Sequence, residues 1–309
     1  MSSFLYYYKL HRQFKPDLTI IHFAPQFVTG IAAWLLGCPN RWVYYHTAEE
    51  ANIADTAQNP FANTLRRIRR SMLYLLYHRI ICVSQFAKAD IQRFFSVPEN
   101  KLAIIYNALP DRWNNQFAKP NQGPVLFHLL ARLDPCKRVL ELTEAFIAFK
   151  NDTGLDATLS IAGGGLLLQE LQTLIKDRTD IIYHGELPYE AVDAFIQQAH
   201  WLICSSLVET FGMVNAEAVM NATPVLANPV GGVPEVVIDG KTGFLTEGLS
   251  PKNWVDIFKK AWSFVKDQPA KYEQMRANCR QMYSDNFTIE TYVANMKKLI
   301  TDITKAKTP

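Results

Sequence analysis

Short β-branched runs alternate with helical patterns along most of the chain, and this alternation constrains the fold more than any other feature. The first half holds the runs "DLTIIHF", "RWVYYHT", "IICVS" and "KLAIIYNAL", separated by segments with apolar residues at helical spacing. Hairpin turn signals do not join these runs, so neighbouring strands are expected to be parallel and connected by helices. We therefore predict an α/β fold with helices packed over parallel sheets.

A polar stretch, "PDRWNNQFAKPNQGP" at residues 110–124, interrupts the alternation and is typical of a linker. The alternation then restarts with the runs "VLFHLLA", "ATLSIAG", "DIIYHG", "WLICSS", "TPVLANP" and "GFLTEG". A chain of 309 residues is long enough for two such domains. We predict a first domain at 1–118, a second at 119–286, and a C-terminal helix at 287–309 that crosses back to the first domain.

Composition excludes several classes of function. The net charge is only +3, which argues against a nucleic-acid partner. The five cysteines are scattered without a C-x-x-C pair, as expected for reduced thiols in a cytoplasmic protein. No apolar run reaches the length of a transmembrane helix.

The stretch "SSLVETFGMVNAEAVM" contains two glutamates, Glu209 and Glu217, on either side of a glycine. If a helix begins near Gly212, its first free N–H groups form an anion site at the carboxyl end of the preceding strand. A diphosphate suits such a site, and the two carboxylates suit sugar hydroxyls on either side of it. From the spacing alone, two ordinary surface glutamates explain the pattern better.

The stretch "LARLDPCKRV" adds two cations around an Asp-Pro turn at another strand end. Arg132 and Lys137 are placed to balance the charge of a diphosphate and of the leaving group that forms from it. Considered alone, they are better explained as ordinary cations of a solvated loop.

Together these segments resemble the retaining, GT-B-type glycosyltransferases of the glycosyl transferases group 1 family. "ETFGMVNAEA" is similar to the family's E-x7-E motif, and "ARLDPCKRV" to its G-R-L-x-x-x-K-G loop. "ATPVLANPVGGVPEVVIDGKTGFL" resembles the segment that follows the motif, and "CVSQFAKADI" and "IIYNALP" resemble segments of the first domain. The resemblance covers roughly residues 15–305.

The resemblance implies two Rossmann-like domains facing a cleft, with the nucleotide-sugar donor in the second domain and the acceptor mainly in the first. It implies catalytic roles for Glu209, His46, Arg132 and Lys137, with Glu209 at the donor sugar and Glu217 at the ribose. Glu49 and Glu50 are weaker candidates for the acceptor side. The other donor-binding residues that it implies are Gly185, Glu186 and Leu187 near the base and Phe211, Gly212, Met213 and Val214 near phosphate and sugar. It implies no cofactor and no metal site.

The sequence departs from the family at two points. Ala131, Arg138 and Ala222 stand where the family usually has glycine. Only about fourteen residues precede "KPDLTIIHF", where the family has opening βα units and a glycine-rich loop, so the first domain is expected to be truncated at its N-terminus. Val28, Ile31, Trp34 and Leu35 would then belong to uncovered surface.

The function that follows is transfer of a sugar from a nucleotide-diphosphate sugar to an acceptor hydroxyl, by a hexosyltransferase-type enzyme. The acceptor is a glycan, a lipid-linked sugar or a small molecule. The alternative is a non-catalytic nucleotide-sugar-binding or partner subunit that needs a second chain. A GT-B-type epimerase or phosphorylase is a third reading.

The helical segment at 65–79 opens with "LRRIRR", four arginines on an otherwise apolar helix. Such a helix suits peripheral contact with the inner face of a membrane. It suits equally a surface helix whose arginines extend along apolar neighbours into water.

Overall fold

The computed structural model describes residues 3–23, 26–49, 60–114 and 123–305, with the backbone alone at 60–63 and 302–305. The chain divides into two units, Met1–Tyr106 and Asn107–Pro309. The predicted domain boundary at residue 118 lies outside the described residues. The segment just before it, from Asn107 to Asn114, belongs to the second unit.

The first unit alternates strands and helices as predicted. Its described elements are α1 (Ser3–Phe14), β1 (Leu18–Ile21), α2 (Gln26–Leu35), β2 (Asn40–Tyr45), α3 (Pro60–Leu75), β3 (Arg79–Cys82), α4 (Gln85–Phe95) and β4 (Leu102–Ile104). The strands form a parallel sheet in the order β1-β2-β3-β4.

Burial in the first unit follows the apolar runs of the sequence. The centre of β2 is continuously buried, with Trp42, Val43 and Tyr44 almost fully covered. Such two-sided burial is typical of an inner strand in a parallel sheet. Ser84 caps α4 by accepting a hydrogen bond from the amide of Ala87 at 2.9 Å, which confirms the predicted helix start.

The second unit continues the pattern with a larger sheet. Its described elements are β5 (Val125–Leu130), α5 (Val139–Thr153), β6 (Ala157–Ala162), α6 (Leu168–Ile175), β7 (Ile181–Tyr183), α7 (Tyr189–Gln198), β8 (Trp201–Cys204), α8 (Met213–Met220), β9 (Val225–Ala227), β10 (Gly243–Leu245), α9 (Pro251–Asp267), α10 (Pro269–Asn286) and α11 (Ile289–Lys305). The strands are parallel, in the order β10-β9-β8-β5-β6-β7.

An aromatic cluster fills one face of the second sheet. Phe127 on β5 meets Phe146 of α5 and Phe258 of α9 edge-on, with ring centroids 6.1 and 5.0 Å apart. All three rings are fully buried. Their edge-to-face contacts add to the area that they bury and fix α5 and α9 against the sheet.

Two of the three residues that replace family glycines take the left-handed backbone conformation for which glycine is usual. Arg138 has φ 53° and Ala222 has φ 52°. The backbone path is therefore kept at both positions, with a steric cost that glycine would avoid.

Several apolar side chains are exposed in the first unit. On α2, Trp34 and Leu35 are each 53% exposed, as expected from the sequence, whereas Val28 and Ile31 are half-buried. None of the described helices combines the length and the apolar content needed to span a bilayer.

Candidate functional site

The carboxyl ends of β5, β6 and β8 lie side by side in the second sheet, because β5 pairs with both other strands. Residues that follow these ends therefore converge at one edge, where α/β sheets bind their ligands. The convergent segments are the loop after β5 with Arg132, the glycine triplet after β6, and the loop after β8 with Glu209.

Two adjoining cavities occupy this edge. The larger measures about 680 Å³ and is lined by Leu130, Ala131, Arg132, Asp134, Gly163, Gly164, Gly165, Leu166, Glu186, Leu187 and Val214. The smaller measures about 180 Å³ and is lined by Leu129, Leu130, Ala131, Arg132, Lys137, Ile203, Cys204, Ser205, Ser206, Glu209 and Val214. Arg132 and Val214 are among the residues that line both, so the cavities form one groove.

Lys137 and Glu209 meet in the smaller cavity. The ammonium of Lys137 donates a hydrogen bond to Oε1 of Glu209, and both side chains are 19% exposed. The hydroxyl of Ser206 donates to the same oxygen at 2.9 Å. Burial acts to lower the pKa of Lys137, but the attraction and hydrogen bond of Glu209 outweigh it and the pKa is raised. The lysine is therefore a permanent cation.

The backbone that carries Lys137 is fixed from β8. Lys137 ends a 3₁₀ turn, Pro135–Lys137, and its carbonyl accepts a hydrogen bond from Ser205 Oγ at 2.6 Å. The amide of Leu207 donates to the Cys136 carbonyl at 2.8 Å. The loops after β5 and β8 are thus tied together directly behind the ion pair.

Arg132 lines both cavities, and its side chain is more exposed than those of Lys137 and Glu209. It pairs with Asp134 at 2.5 Å while 71% of its side chain is exposed. A surface ion pair of this kind contributes little stability, so it is easily exchanged for a ligand anion.

The loop that carries Glu209 rests on a glycine turn. The amide of Gly232 donates to the Glu209 carbonyl at 2.9 Å. A Cβ at Gly231 would lie 1.9 Å from that same carbonyl oxygen, and Gly231 has φ 55°. Glycine is therefore required here both for the backbone conformation and for the close approach.

Helix α8 begins beside this loop at Met213, and Gly212, with φ 86°, is its N-cap residue. Phe211 is buried against Phe287, with ring centroids 5.5 Å apart, and anchors the helix start. Val214, in the first turn, lines both cavities, and Met213 is partly exposed. The amide of Asn215 donates to the Gly212 carbonyl at 3.0 Å, whereas the amides of Met213 and Val214 stand at the helix N-terminus, a position that favours an anion.

Glu217 lies one turn further along α8 and does not appear in the lining of either cavity. Its carboxylate is 3.9 Å from Arg112, and its side chain is 15% exposed. Burial raises the pKa of Glu217, Arg112 opposes that rise, and Asp193 adds to it. Asp193 is itself held by Arg112 at 2.5 Å. The predicted ribose contact of Glu217 stays a prediction.

The three residues predicted to face the base follow β7. The Gly185 carbonyl accepts a hydrogen bond from the amide of Gly163 at 2.8 Å, which joins this turn to the glycine triplet. Gly185 has φ 74°, and the turn that it makes presents Glu186 and Leu187 to the larger cavity.

His46 belongs to the first unit and follows β2. Its Nε2 is 3.0 Å from Nδ1 of His22, and the ring of Phe23 stacks on it with centroids 4.3 Å apart. Burial and the neighbouring His22 lower the pKa of His46 to about 4. His46 lines a cavity of about 380 Å³ in that unit together with Arg69 and Arg70.

The two weaker acceptor-side candidates are Glu49 and Glu50. Glu49 is buried and paired with Arg70, whereas Glu50 lies outside the described residues.

Sequence reasoning gave no role to several residues of these sites: Asp134, Gly163, Gly164, Gly165, Ser206 and His22. The glycine triplet and the serine pair after β8 were visible in the sequence as strand-end signals, whereas the contact of His22 with His46 depends on the register of β1 and β2. Among the described residues, no three metal-binding side chains come together.

Two family models match the chain. The model of "Glycosyl transferases group 1" matches residues 111–282, and that of "Glycosyltransferase Family 4" matches residues 1–112. An uncharacterized glycosyltransferase of Methanocaldococcus jannaschii is 26% identical over 228 residues, which cover 73% of this chain and 60% of the relative. The alpha-maltose-1-phosphate synthase of Mycobacterium tuberculosis is 29% identical over 190 residues, 55% of this chain and 49% of the relative. The chain thus spans about half to three fifths of these relatives.

Solved structures confirm the predicted fold class. HepE of Anabaena in complex with UDP superimposes with a TM-score of 0.79 at 17% identity, over 97% of this chain and 82% of that one. Sucrose-phosphate synthase of Thermosynechococcus elongatus gives 0.78 at 17% identity, over 98% and 78%. With two parallel α/β sheets and these neighbours, the chain has the GT-B fold class. Because the family model matches more than half of its length, the chain belongs to the glycosyl transferases group 1 family.

Proposed function

We propose that this protein transfers a sugar from a nucleotide-diphosphate sugar to an acceptor hydroxyl, with retention of the anomeric configuration. The observation that carries the proposal is the groove formed by the two adjoining cavities of the second unit. Its larger part has apolar walls, Arg132 stands at the junction, and the smaller part ends on Lys137 and Glu209. A nucleotide-diphosphate sugar presents base, diphosphate and sugar in that same order.

The electrostatics of the groove suit a departing diphosphate. Arg132 and Lys137 supply two positive charges, and the first turn of α8 adds the N–H groups near Val214. Together they would stabilise the negative charge that develops as the sugar leaves, without a metal ion. Lys137 would exchange part of its contact with Glu209 for a phosphate oxygen.

Glu209 would then hold the transferred sugar. Its carboxylate has one oxygen bound by Lys137 and Ser206, and a carboxylate has further acceptor capacity for sugar hydroxyls. No enzyme base adjoins the sugar in this scheme. The acceptor hydroxyl would enter on the side of the leaving diphosphate, and catalysis would depend on positioning and on charge stabilisation.

A test separates binding from turnover. Calorimetric titration of the full chain with GDP, UDP and ADP measures donor-site binding, and NMR of a transfer reaction measures the anomeric configuration of the product. Binding with retained product supports the whole proposal. Binding without turnover favours the non-catalytic partner subunit, and an inverted product contradicts retention.

A second proposal concerns where the protein works. Four apolar side chains on α3 are 52–73% exposed, at a spacing that places them on one helix face: Leu65, Ile68, Met72 and Leu75. Arginines at positions 66, 67, 69 and 70 flank this stripe. We propose that the stripe docks on an anionic bilayer surface, since apolar area and basic charge are the two terms that drive such binding.

A cytoplasmic location agrees with the state of the cysteines: all five are free thiols, and four of them are buried. We therefore propose a cytoplasmic protein that contacts the inner face of a membrane, where a lipid-linked acceptor would be reached. Co-sedimentation with vesicles of phosphatidylcholine with and without phosphatidylserine tests it. Leu65→Glu with Met72→Glu should abolish sedimentation with the anionic vesicles, whereas the matched change Ile289→Glu on α11 should not. Equal sedimentation of all variants would contradict the proposal.

A further inference from the structure

We propose that Glu186 selects the base of the donor and that the preferred base is guanine. The inference rests on the proposed donor site and extends it to the class of nucleotide. Its starting point is the position of the carboxylate. Glu186 lines the larger cavity. Its Oε1 lies only 2.0 Å from the position that a Cβ on residue 164 would occupy if Gly164 had one. The absence of a side chain at Gly164 is what allows the carboxylate to lie over the glycine triplet.

The carboxylate of Glu186 is available to a ligand. Within the residues that the structure describes, no hydrogen bond or ion pair joins it to another side chain. Arg132 is the one basic residue among those that line this cavity, and in the described structure its ion pair is with Asp134 and not with Glu186. Glu186 therefore brings an unneutralised pair of acceptor oxygens to the part of the groove that has the largest volume.

The remaining walls suit a flat ring. Leu130, Leu166 and Leu187 line the larger cavity, and the glycine triplet leaves the floor without side chains. A volume of about 680 Å³ lies within the range of small-molecule sites. The smaller cavity, with Ser206 and Glu209, has the polar lining expected for sugar hydroxyls instead.

The hydrogen-bonding groups of the four bases then decide which base fits this carboxylate best. A carboxylate only accepts hydrogen bonds, and it binds best to two donors that lie side by side. Guanine offers this pair through its N1–H and exocyclic N2–H groups. Uracil presents a single N–H between two carbonyl oxygens, which a carboxylate repels. Adenine and cytosine each present an amino group beside a ring-nitrogen acceptor. Guanine is therefore the base that a free carboxylate in this position favours.

Calorimetric titration of the full chain with GDP, UDP, ADP and CDP tests the inference. We expect GDP to bind at least about tenfold more tightly than the other three, which corresponds to about 1.4 kcal/mol. Glu186→Gln should remove the preference, because the amide replaces one acceptor oxygen by a donor that meets a donor of guanine. Glu190→Gln, a matched change on the exposed first turn of α7, should leave it unchanged.

The outcomes are distinct. UDP, ADP or CDP binding as tightly as GDP would overturn the inference while leaving the donor site intact. A GDP preference that survives in Glu186→Gln would remove Glu186 from base recognition. If none of the four diphosphates binds a folded chain, the proposed donor site itself is wrong and the inference falls with it.

Discussion

Lys137 and Glu209 lie 72 positions apart in the chain and form an ion pair at the carboxyl ends of two neighbouring strands. The pair sits in a small cavity that Arg132 also lines. Removing either partner leaves a largely covered charge without compensation, which is costly. Loss of either partner is therefore expected to lower the free energy of unfolding more than loss of Arg132, which is mostly exposed.

Changing Arg132 or Lys137 to Ala should weaken binding of a nucleoside diphosphate by about 1–3 kcal/mol, the range for a lost charged hydrogen bond. Calorimetric titration measures the change. Lys259→Ala is the control, because Lys259 pairs with Asp152 on the exposed surface and lines neither cavity of the groove. Unchanged affinity in both variants for every diphosphate that binds would remove Arg132 and Lys137 from the site.

Glu217 and Glu209 should affect different properties, nucleotide binding and sugar transfer respectively. Glu217→Ala should weaken binding of a plain nucleoside diphosphate, because the ribose contact predicted for Glu217 is lost. Glu209→Ala should spare that binding and lower turnover of the nucleotide sugar. Titration and a transfer assay measure the two effects. Loss of diphosphate binding in a folded Glu209→Ala variant would show that the assigned roles are wrong.

Gly231→Ala should reduce both stability and donor binding. The new Cβ would strain a left-handed backbone and displace the carbonyl of Glu209. We expect the free energy of unfolding to fall by about 3 kcal/mol, from combined strain and overpacking. Gly240→Ala provides the matched control, since Gly240 has φ 71° but nothing within 4 Å of an added Cβ. It should cost about 1 kcal/mol and leave diphosphate affinity unchanged. Equal losses in the two variants would contradict the close-approach argument.

The first unit should lose stability as the pH falls from about 6.5 to 4. His46 has a pKa of about 4 in the folded protein, against 6.5 for an ordinary histidine. Between these values the unfolded chain binds a proton that the folded chain does not, so acid favours unfolding. His46→Gln should flatten this dependence in urea-denaturation midpoints measured from pH 4 to 8. Above pH 7 the curves of variant and wild type should run parallel, and an unchanged acid slope would contradict the low pKa.

Much of the fold was predictable, because the local sequence patterns agree with the helices and strands that form. The strand–helix alternation predicted the elements around both sheets, and Ser84 marked a helix start that the structure confirms. Strand ends were less predictable. The run "DIIYHG" contributes only Ile181–Tyr183 to β7, because the chain turns at Gly185 with φ 74°.

The environment of the candidate site was less predictable than its residues. Lys137 was expected at the donor diphosphate and Glu209 at the donor sugar, but their direct pairing depends on how two loops approach each other. The contact of Glu217 with Arg112 joins positions that no local pattern connects. The contact between the ring nitrogens of His22 and His46 likewise follows from the register in which Ile21 pairs with Val43.

The left-handed backbone of Arg138 has a consequence that concerns the unfolded chain. Arg138 immediately follows Lys137, and its guanidinium donates to the Leu249 carbonyl at 2.6 Å. A glycine there would relieve the backbone strain, but it would also give the unfolded chain more conformations to lose. The arginine therefore restricts the unfolded ensemble at the residue next to the site lysine. The smaller loss of conformational entropy when the loop orders offsets only part of the strain, because a side chain at a positive φ costs more than this entropy gain.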